Sequence, residues 1–279
     1  MSAPAWAAGE ARAGELAARF AALPEVTAIG LGGSLASGAA EPGSDVDMYL
    51  YTAGELSPAV RAILAEEASG AARADLGLPY WGGVNVWIDA DTGVTFDVMV
   101  VDAAWMEAQI ARVMDAHEPA LGYSTCFCRT VAQSRILHDP HGWFAALQAR
   151  SRRDYPEPLR RHIIEYNHPV LRRIVTSYLR QIEDAVRRQD PVSIHHRLAA
   201  LVASYFDILF ALNRVLHPGE KRLLAFAQCE CALLPAEMSD DLTSVLAAAG
   251  TGHSDLVLRL GRLLDRLDDL LRGAGVPGV

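Results

Sequence analysis

The sequence predicts an α+β protein, with a mixed α/β part over residues 1–140 and an all-helical part over residues 141–279. Three observations lead there. Short β-rich runs bounded by Gly, Pro, Asp and Ser are confined to the first half. After HDPHG (138–142), apolar residues recur at helical spacing in long segments punctuated by Pro156, Pro191, Pro218 and Pro235, with no convincing strand. The 279 residues, 51% hydrophobic and 21% charged, have a globular composition and can bury two cores.

The elements follow in order. Residues 8–22 carry apolar positions at helical spacing, with Leu16, Phe20 and Leu23 near one face and Pro24 ending the run. VTAIGL (26–31) reads as a strand, and GGSLASG as a strand-to-helix turn. EPGSD (41–45) is dense in turn formers, and VDMYLYT (46–52) is a second strand. SPAVRAILAEEASG (57–70) has Ser57 as N-cap, Pro58 at the first helical position and Gly70 at its end. In residues 82–102 two β-rich runs flank ADTG, which predicts a hairpin, followed by a helix over 103–116. Residues 126–137 fit a strand or a short helix equally well.

Composition excludes some classes. A net charge of −9 and a pI near 5.5 argue against a general nucleic-acid binder. No apolar run of 18 residues exists, so no membrane span is expected. The N-terminus, interrupted by Glu10 and Glu15, lacks a signal peptide's basic start and unbroken apolar core, so the expected location is cytoplasmic. Four cysteines are too few for a disulfide scaffold. The chain has 24 Arg but a single Lys, Lys221, which marks that residue as one kept for its shape or surviving by chance.

The chemistry concentrates in IGLGGSLASGAAEPGSDVDMYLYT (29–52). Gly32 and Gly33 let backbone amides approach a ligand, and a helix beginning near Ser34 would turn its N–H groups and the Ser34 hydroxyl toward a phosphate. Asp45 and Asp47, two residues apart on extended chain, project to one face. Adjacent carboxylates repel, and a divalent cation removes that cost; Mg²⁺ prefers such oxygen ligands together with substrate phosphates. Asp97, a lone charge in VTFDVMVV, joins the cluster if its strand pairs beside the Asp47 strand. Two ions on three carboxylates could then clamp an in-line displacement at phosphorus. The plainer readings are that Asp45 finishes a turn, that Asp47 faces solvent on an edge strand, and that Asp97 is a polar-face residue, although Thr95 and Met99 would share that face.

GGS, ten intervening residues, DVD and a later strand Asp resemble the nucleotidyltransferase superfamily related to DNA polymerase beta. The resemblance implies a small mixed sheet flanked by helices. It implies that Gly33 and Ser34 bind the triphosphate of an NTP, ATP first, and that Asp45, Asp47 and Asp97 are catalytic ligands of Mg²⁺, with two ions expected. More loosely, the helical half, with DILFALNRVLHPGEKRLL (207–224), resembles the helical domain of unknown function appended to many bacterial nucleotidyltransferase domains. Those relatives resemble aminoglycoside and lincosamide nucleotidyltransferases. The implied activity is transfer of an NMP to a hydroxyl of a small-molecule acceptor with release of pyrophosphate. AMP transfer to a protein side chain and an inactive nucleotide-binding sensor or antitoxin-type module are the rival readings.

In the helical half, His217-Pro218-Gly219 breaks a helix and Lys221 opens the next, where an ammonium suits a polyphosphate as a point charge. Asn213 and Arg214, one turn earlier, are candidates for the same nucleotide; the alternatives are a solvated Lys221 and a helix-capping Asn213. Cys126/Cys128 and Cys229/Cys231 lack zinc-ligand spacing and read as thiols. Tyr80, Trp81 and Trp87 read as core. Asp97, and less so Glu165, are candidate proton acceptors. The wide apolar faces of the C-terminal helices allow a homodimer or simply form that part's own core.

Overall fold

The structure is a computed structural model describing residues 5–38, 40–54, 57–78, 83–251 and 255–278, with the backbone alone for residues 5, 6 and 251. Tyr80 and Trp81 lie outside these residues. The chain divides into two compact units, residues 1–112 with 127–153, and residues 113–126 with 154–279.

The first unit is built on a six-stranded mixed sheet flanked by helices. Its strands are β1 (Val26–Leu31), β2 (Val46–Thr52), β3 (Arg73–Leu78), β4 (Val84–Ile88), β5 (Thr95–Asp102) and β6 (Arg135–His138). Their spatial order is β3-β4-β5-β2-β1-β6. β2 and β5 run parallel and every other neighbouring pair is antiparallel. The expected hairpin is β4–β5. The ambiguous 126–137 stretch holds both alternatives in succession, α5 (Cys126–Gln133) and then β6.

Alternation along the strands sorts the two faces of the sheet. Val46, Met48 and Leu50 of β2 and Phe96 and Val98 of β5 point to one side. They pack with α1 (Ala5–Ala21) and α3 (Pro58–Ser69). The α1 residues buried there, Ala13, Leu16, Ala17 and Phe20, stand at i, i+3, i+4 and i+7, the stripe an amphipathic helix needs. Ser57 caps α3 by accepting the Val60 N–H at 3.2 Å. Trp87 is buried in this core and stacks on Phe96, with centroids 5.3 Å apart.

The opposite face carries Asp47, Tyr49 and Tyr51 of β2 and Asp97, Met99 and Val101 of β5. It meets α4 (Ala103–Met114), α5 and α6 (Trp143–Ser151). Tyr51 is fully buried against Phe144 of α6, with centroids 4.9 Å apart. Gly30 of β1 lies under the same ring: a Cβ there would stand 2.9 Å from Phe144 Cε1.

The second unit is helical. α7 (Glu157–Arg172) and α8 (Tyr178–Arg187) pack on α9 (Pro191–Leu212); α10 (Leu223–Glu230), α11 (Met238–Thr251) and α12 (Leu256–Gly273) complete it. Asp190 caps α9 by accepting the Ser193 N–H, with Pro191 in the first turn. Two buried polar clusters tie these helices together. His168 of α7 shares a 2.6 Å hydrogen bond with Asp268 of α12, which Arg172 also bonds. Burial alone would raise the Asp268 pKa, but His168 and Arg172 hold it down at about 2. In the second cluster, Asp207 of α9 accepts from the Ser124 N–H (3.0 Å) and hydroxyl (2.6 Å) and from Asn167 Nδ2 (3.3 Å). Among the described residues, no helix is long and apolar enough to cross a membrane.

Candidate active site

Asp47 and Asp97 are in register on neighbouring parallel strands, so the sheet sets their side chains next to each other on one face. Strand spacing puts the two backbones about 4.8 Å apart. Both residues are half-buried. Two carboxylates at this distance repel when ionised, and each then favours a shared cation or a shared proton.

The glycine pair seats directly on this arrangement. The Gly32 N–H donates to the Asp47 carbonyl at 2.8 Å, tying the end of β1 to the start of β2. Gly33, the first residue of the short helix α2 (Gly33–Ser37), has φ +61°. A Cβ at Gly33 would fall 1.8 Å from Asp47 Oδ2, 2.8 Å from its Cγ and 3.3 Å from its Cβ. A Cβ at Gly32 would fall 2.4 Å from Tyr49 Cε2. Each glycine therefore makes room for one β2 side chain on the Asp face, Gly32 for Tyr49 and Gly33 for Asp47. The two requirements differ. Gly32 has an ordinary extended backbone and is needed only for space, whereas Gly33 is needed for space and for its left-handed conformation. Ser34 follows, half-buried, as the second residue of α2.

Asp45 precedes the strand pairing that sets the other two in register. It lies on exposed chain just ahead of β2, after the turn in which the Glu41 N–H donates to Ser44 Oγ at 2.9 Å. Among the described residues, no group of three or more His, Cys, Asp or Glu side chains is gathered closely enough to hold an ion. The pair made by the fold is Asp47 with Asp97.

The remaining candidates lie in the second unit. Lys221 is exposed, two residues before α10. Asn213 is the C-cap of α9 and its amide is engaged with backbone on both sides. Nδ2 donates to the carbonyls of Leu209 (2.9 Å) and Leu233 (2.8 Å), and Oδ1 accepts the Leu233 N–H (2.8 Å). This is the work of a staple between α9 and the segment after α10. Asn213→Ala is expected to lower the urea midpoint by an amount equivalent to about 1–3 kcal/mol and to leave nucleotide affinity unchanged. Arg214, at φ +55°, donates to Glu157 Oε2 at 2.8 Å. Glu165 is exposed on α7. Among the described residues, Cys126, Cys128, Cys229 and Cys231 form no disulfide.

One feature of this face escaped the sequence reading. Beyond the carboxylates, Tyr49, Met99 and Val101 of the sheet and Trp105, Phe127 and Thr130 of α4 and α5 line a cavity of about 730 Å³. Trp105 and Phe127 meet edge to face, with centroids 5.4 Å apart, and both remain 40% or more exposed. The available signal was spacing: Tyr49 and Met99 follow Asp47 and Asp97 by two residues and so share their face.

Residues 125–223 match the family described as Domain of unknown function (DUF4037). No curated protein matches the chain. In three dimensions the chain is similar to the crystal structure of a nucleotidyltransferase-like protein from Exiguobacterium sibiricum 255-15. The identity is 12% over 92% of this chain and 72% of that one, with a TM-score of 0.43. A likeness of that size leaves the functional reading to the residues themselves.

Proposed function

We propose that this protein is a Mg²⁺-dependent nucleotidyltransferase that moves an NMP from an NTP, ATP first, to a hydroxyl of a small molecule. The observation that carries the reading is the in-register Asp47–Asp97 pair with the Gly33 turn pressed against the Asp47 carboxylate. The donors fit the ion. Both are hard anionic oxygen ligands of the kind Mg²⁺ takes, and a pair of like charges is the arrangement a divalent cation stabilises. Bound there, Mg²⁺ would neutralise the pair and supply positive charge to the phosphoryl oxygens.

The chain's own residues take the following parts. Asp47 and Asp97 hold the ion. The Gly33 turn, having no side chain, leaves the Asp47 carboxylate open to the triphosphate, and Ser34 offers a hydroxyl to it. Asp97 accepts the acceptor's hydroxyl proton. The acceptor oxygen forms a bond to the α-phosphorus, the bond from that phosphorus to the bridging oxygen breaks, and pyrophosphate leaves. Orientation and fixed charge, rather than a covalent enzyme intermediate, lower the barrier.

Calorimetry with Mg²⁺ and ATP on the full chain tests this. The wild type is expected to bind ATP only with the metal, and Asp47→Asn and Asp97→Asn are each expected to weaken that binding at least about tenfold. Asp45→Asn, altering the exposed residue outside the pair, is expected to have the smaller effect. A wild type that shows no metal-dependent nucleotide binding overturns the proposal.

A further inference from the structure

We infer that the acceptor is a hydroxyl compound with an uncharged, largely apolar ring body, and that this body occupies the Trp105–Phe127 cavity. The inference rests on the nucleotidyltransferase reading and extends it to the substrate class. Four observations lead to it, namely the cavity's position, size, charge and aromatic walls.

The cavity continues the face that carries the carboxylates. Tyr49 and Met99 are paired across β2 and β5, one step of alternation beyond Asp47 and Asp97, and Tyr51 and Val101 are paired one step further. At the rise of a β-strand the cavity starts about 7 Å from the carboxylates and reaches about 13 Å from them. A ring body seated there, with a hydroxyl on a short arm at its near end, points that hydroxyl along the strands toward the Asp47–Asp97 pair. The glycine at position 32 is part of the same construction, since it is what lets the Tyr49 ring lie on this face.

The volume, about 730 Å³, belongs to the range that holds whole drug-sized ligands and is far more than a single nucleobase fills. The walls decide the chemistry. Among the described residues, Asp102 is the charged group lining the cavity, and both of its oxygens already have backbone donors. Oδ1 accepts the Trp105 N–H at 2.7 Å, capping α4, and Oδ2 accepts the Gly54 N–H at 3.2 Å. A polycationic sugar would find a single carboxylate in this lining against its several ammonium groups, and a phosphate would find no cation. Apolar ring surface suits this lining: the exposed indole of Trp105 and ring of Phe127, set edge to face, offer two aromatic surfaces to a flat ligand. The Tyr49 and Thr130 side chains supply the few polar contacts that would orient it.

In the reaction this substrate would undergo, its hydroxyl oxygen bonds to the α-phosphorus of the NTP, pyrophosphate leaves, and the hydroxyl proton passes to Asp97. The product is an NMP ester of the ring alcohol.

The test uses the full chain and three probes: 2-naphthol, estradiol and kanamycin. Binding is followed by tryptophan fluorescence and calorimetry, and products with Mg²⁺–ATP are followed by mass spectrometry. The ring alcohols are expected to bind the wild type, with Trp105→Ala and Phe127→Ala each weakening them about tenfold. Trp105→Phe is expected to retain most of the affinity. Kanamycin is expected neither to bind nor to gain AMP. Because both rings are partly exposed, unchanged thermal melts are expected to exclude unfolding as the cause. Val101→Trp, which fills the cavity from the sheet side, provides a second, independent loss of ring-alcohol binding. The inference is overturned if kanamycin is the compound modified, if neither ring alcohol binds, or if their binding ignores all three cavity variants. Failure of the underlying reading looks different: ring alcohols still bind in a Trp105-dependent way, while wild type shows no metal-dependent ATP binding. That outcome keeps the cavity's occupant and removes the reaction, so the inference as stated also falls.

Discussion

Gly33→Ala is expected to reduce Mg²⁺–ATP affinity more than tenfold and to destabilise the protein, whereas Gly38→Ala a few residues away is expected only to destabilise it. Both glycines have positive φ, +61° and +72°, so alanine at either position meets a left-handed backbone that disfavours a Cβ by roughly 1–2 kcal/mol. The surroundings separate them. Nothing lies within 4 Å of a Cβ built on Gly38. A Cβ on Gly33 meets the Asp47 carboxylate oxygen, its Cγ and its Cβ, so turning the carboxylate about its last bond does not clear the clash. The Asp47 side chain or the turn itself must move, and either shift separates Asp47 from its in-register partner Asp97. Calorimetry and thermal melts on the two variants give the comparison. Equal nucleotide affinity in Gly33→Ala and Gly38→Ala would mean that the contact between the turn and Asp47 plays no part in binding. Gly32→Ala would act on a different target, the Tyr49 ring, and should change the cavity before it changes the carboxylates.

The strands that hold this site were legible because their signals were local. VTAIGL and VDMYLYT run between turn formers with strand-like composition, and the β4–β5 hairpin is announced by ADTG. The placement of Asp97 beside Asp47 was a conditional expectation only. It depends on β5 inserting next to β2 in a sheet whose order is not sequential, and no local pattern specifies that insertion. β3 went unread for a related reason. RADLGL is an edge strand exposed along most of its length, and although polar and apolar residues alternate in it, it holds no β-branched or aromatic residue to mark it as a strand. Asn213 reads from the sequence as a cap or as a ligand, and its partner Leu233 lies 20 residues on, beyond any local pattern. The cavity's sheet wall follows from spacing, but Trp105 and Phe127 arrive from helices whose docking the sequence does not specify.

The buried carboxyl of Asp207 is expected to make the helical unit less stable as pH rises from about 4 to about 7. Asp207 sits 2% exposed in the C-terminal half of α9 and accepts three hydrogen bonds, two from Ser124 and one from Asn167. Burial pushes its pKa up and the Ser124 donors pull it back, leaving it at about 7 against an ordinary value of 3.8. The folded chain therefore keeps a proton that the unfolded chain releases, and stability falls with pH across that window. The stabilisation is complete below the unfolded value and gone once pH passes the folded one. Linkage puts the whole change on the order of 4 kcal/mol. Asp207→Asn keeps an oxygen for the Ser124 N–H and cannot ionise, so its stability lacks this slope. The difference between wild type and Asp207→Asn in urea unfolding from pH 5 to 8 isolates this group from the rest of the chain, which is the same in both. Asp207→Ala instead leaves the Ser124 N–H buried without its acceptor, while Asn167 Nδ2 keeps the carbonyls of Ala120 and Ile163 and the Ser124 hydroxyl keeps that of Ala120; it is expected to lose about 1–3 kcal/mol at pH 5. A difference between wild type and Asp207→Asn that is flat across pH 5 to 8 would mean that Asp207 is already ionised in the fold. The three donors would then outweigh its burial.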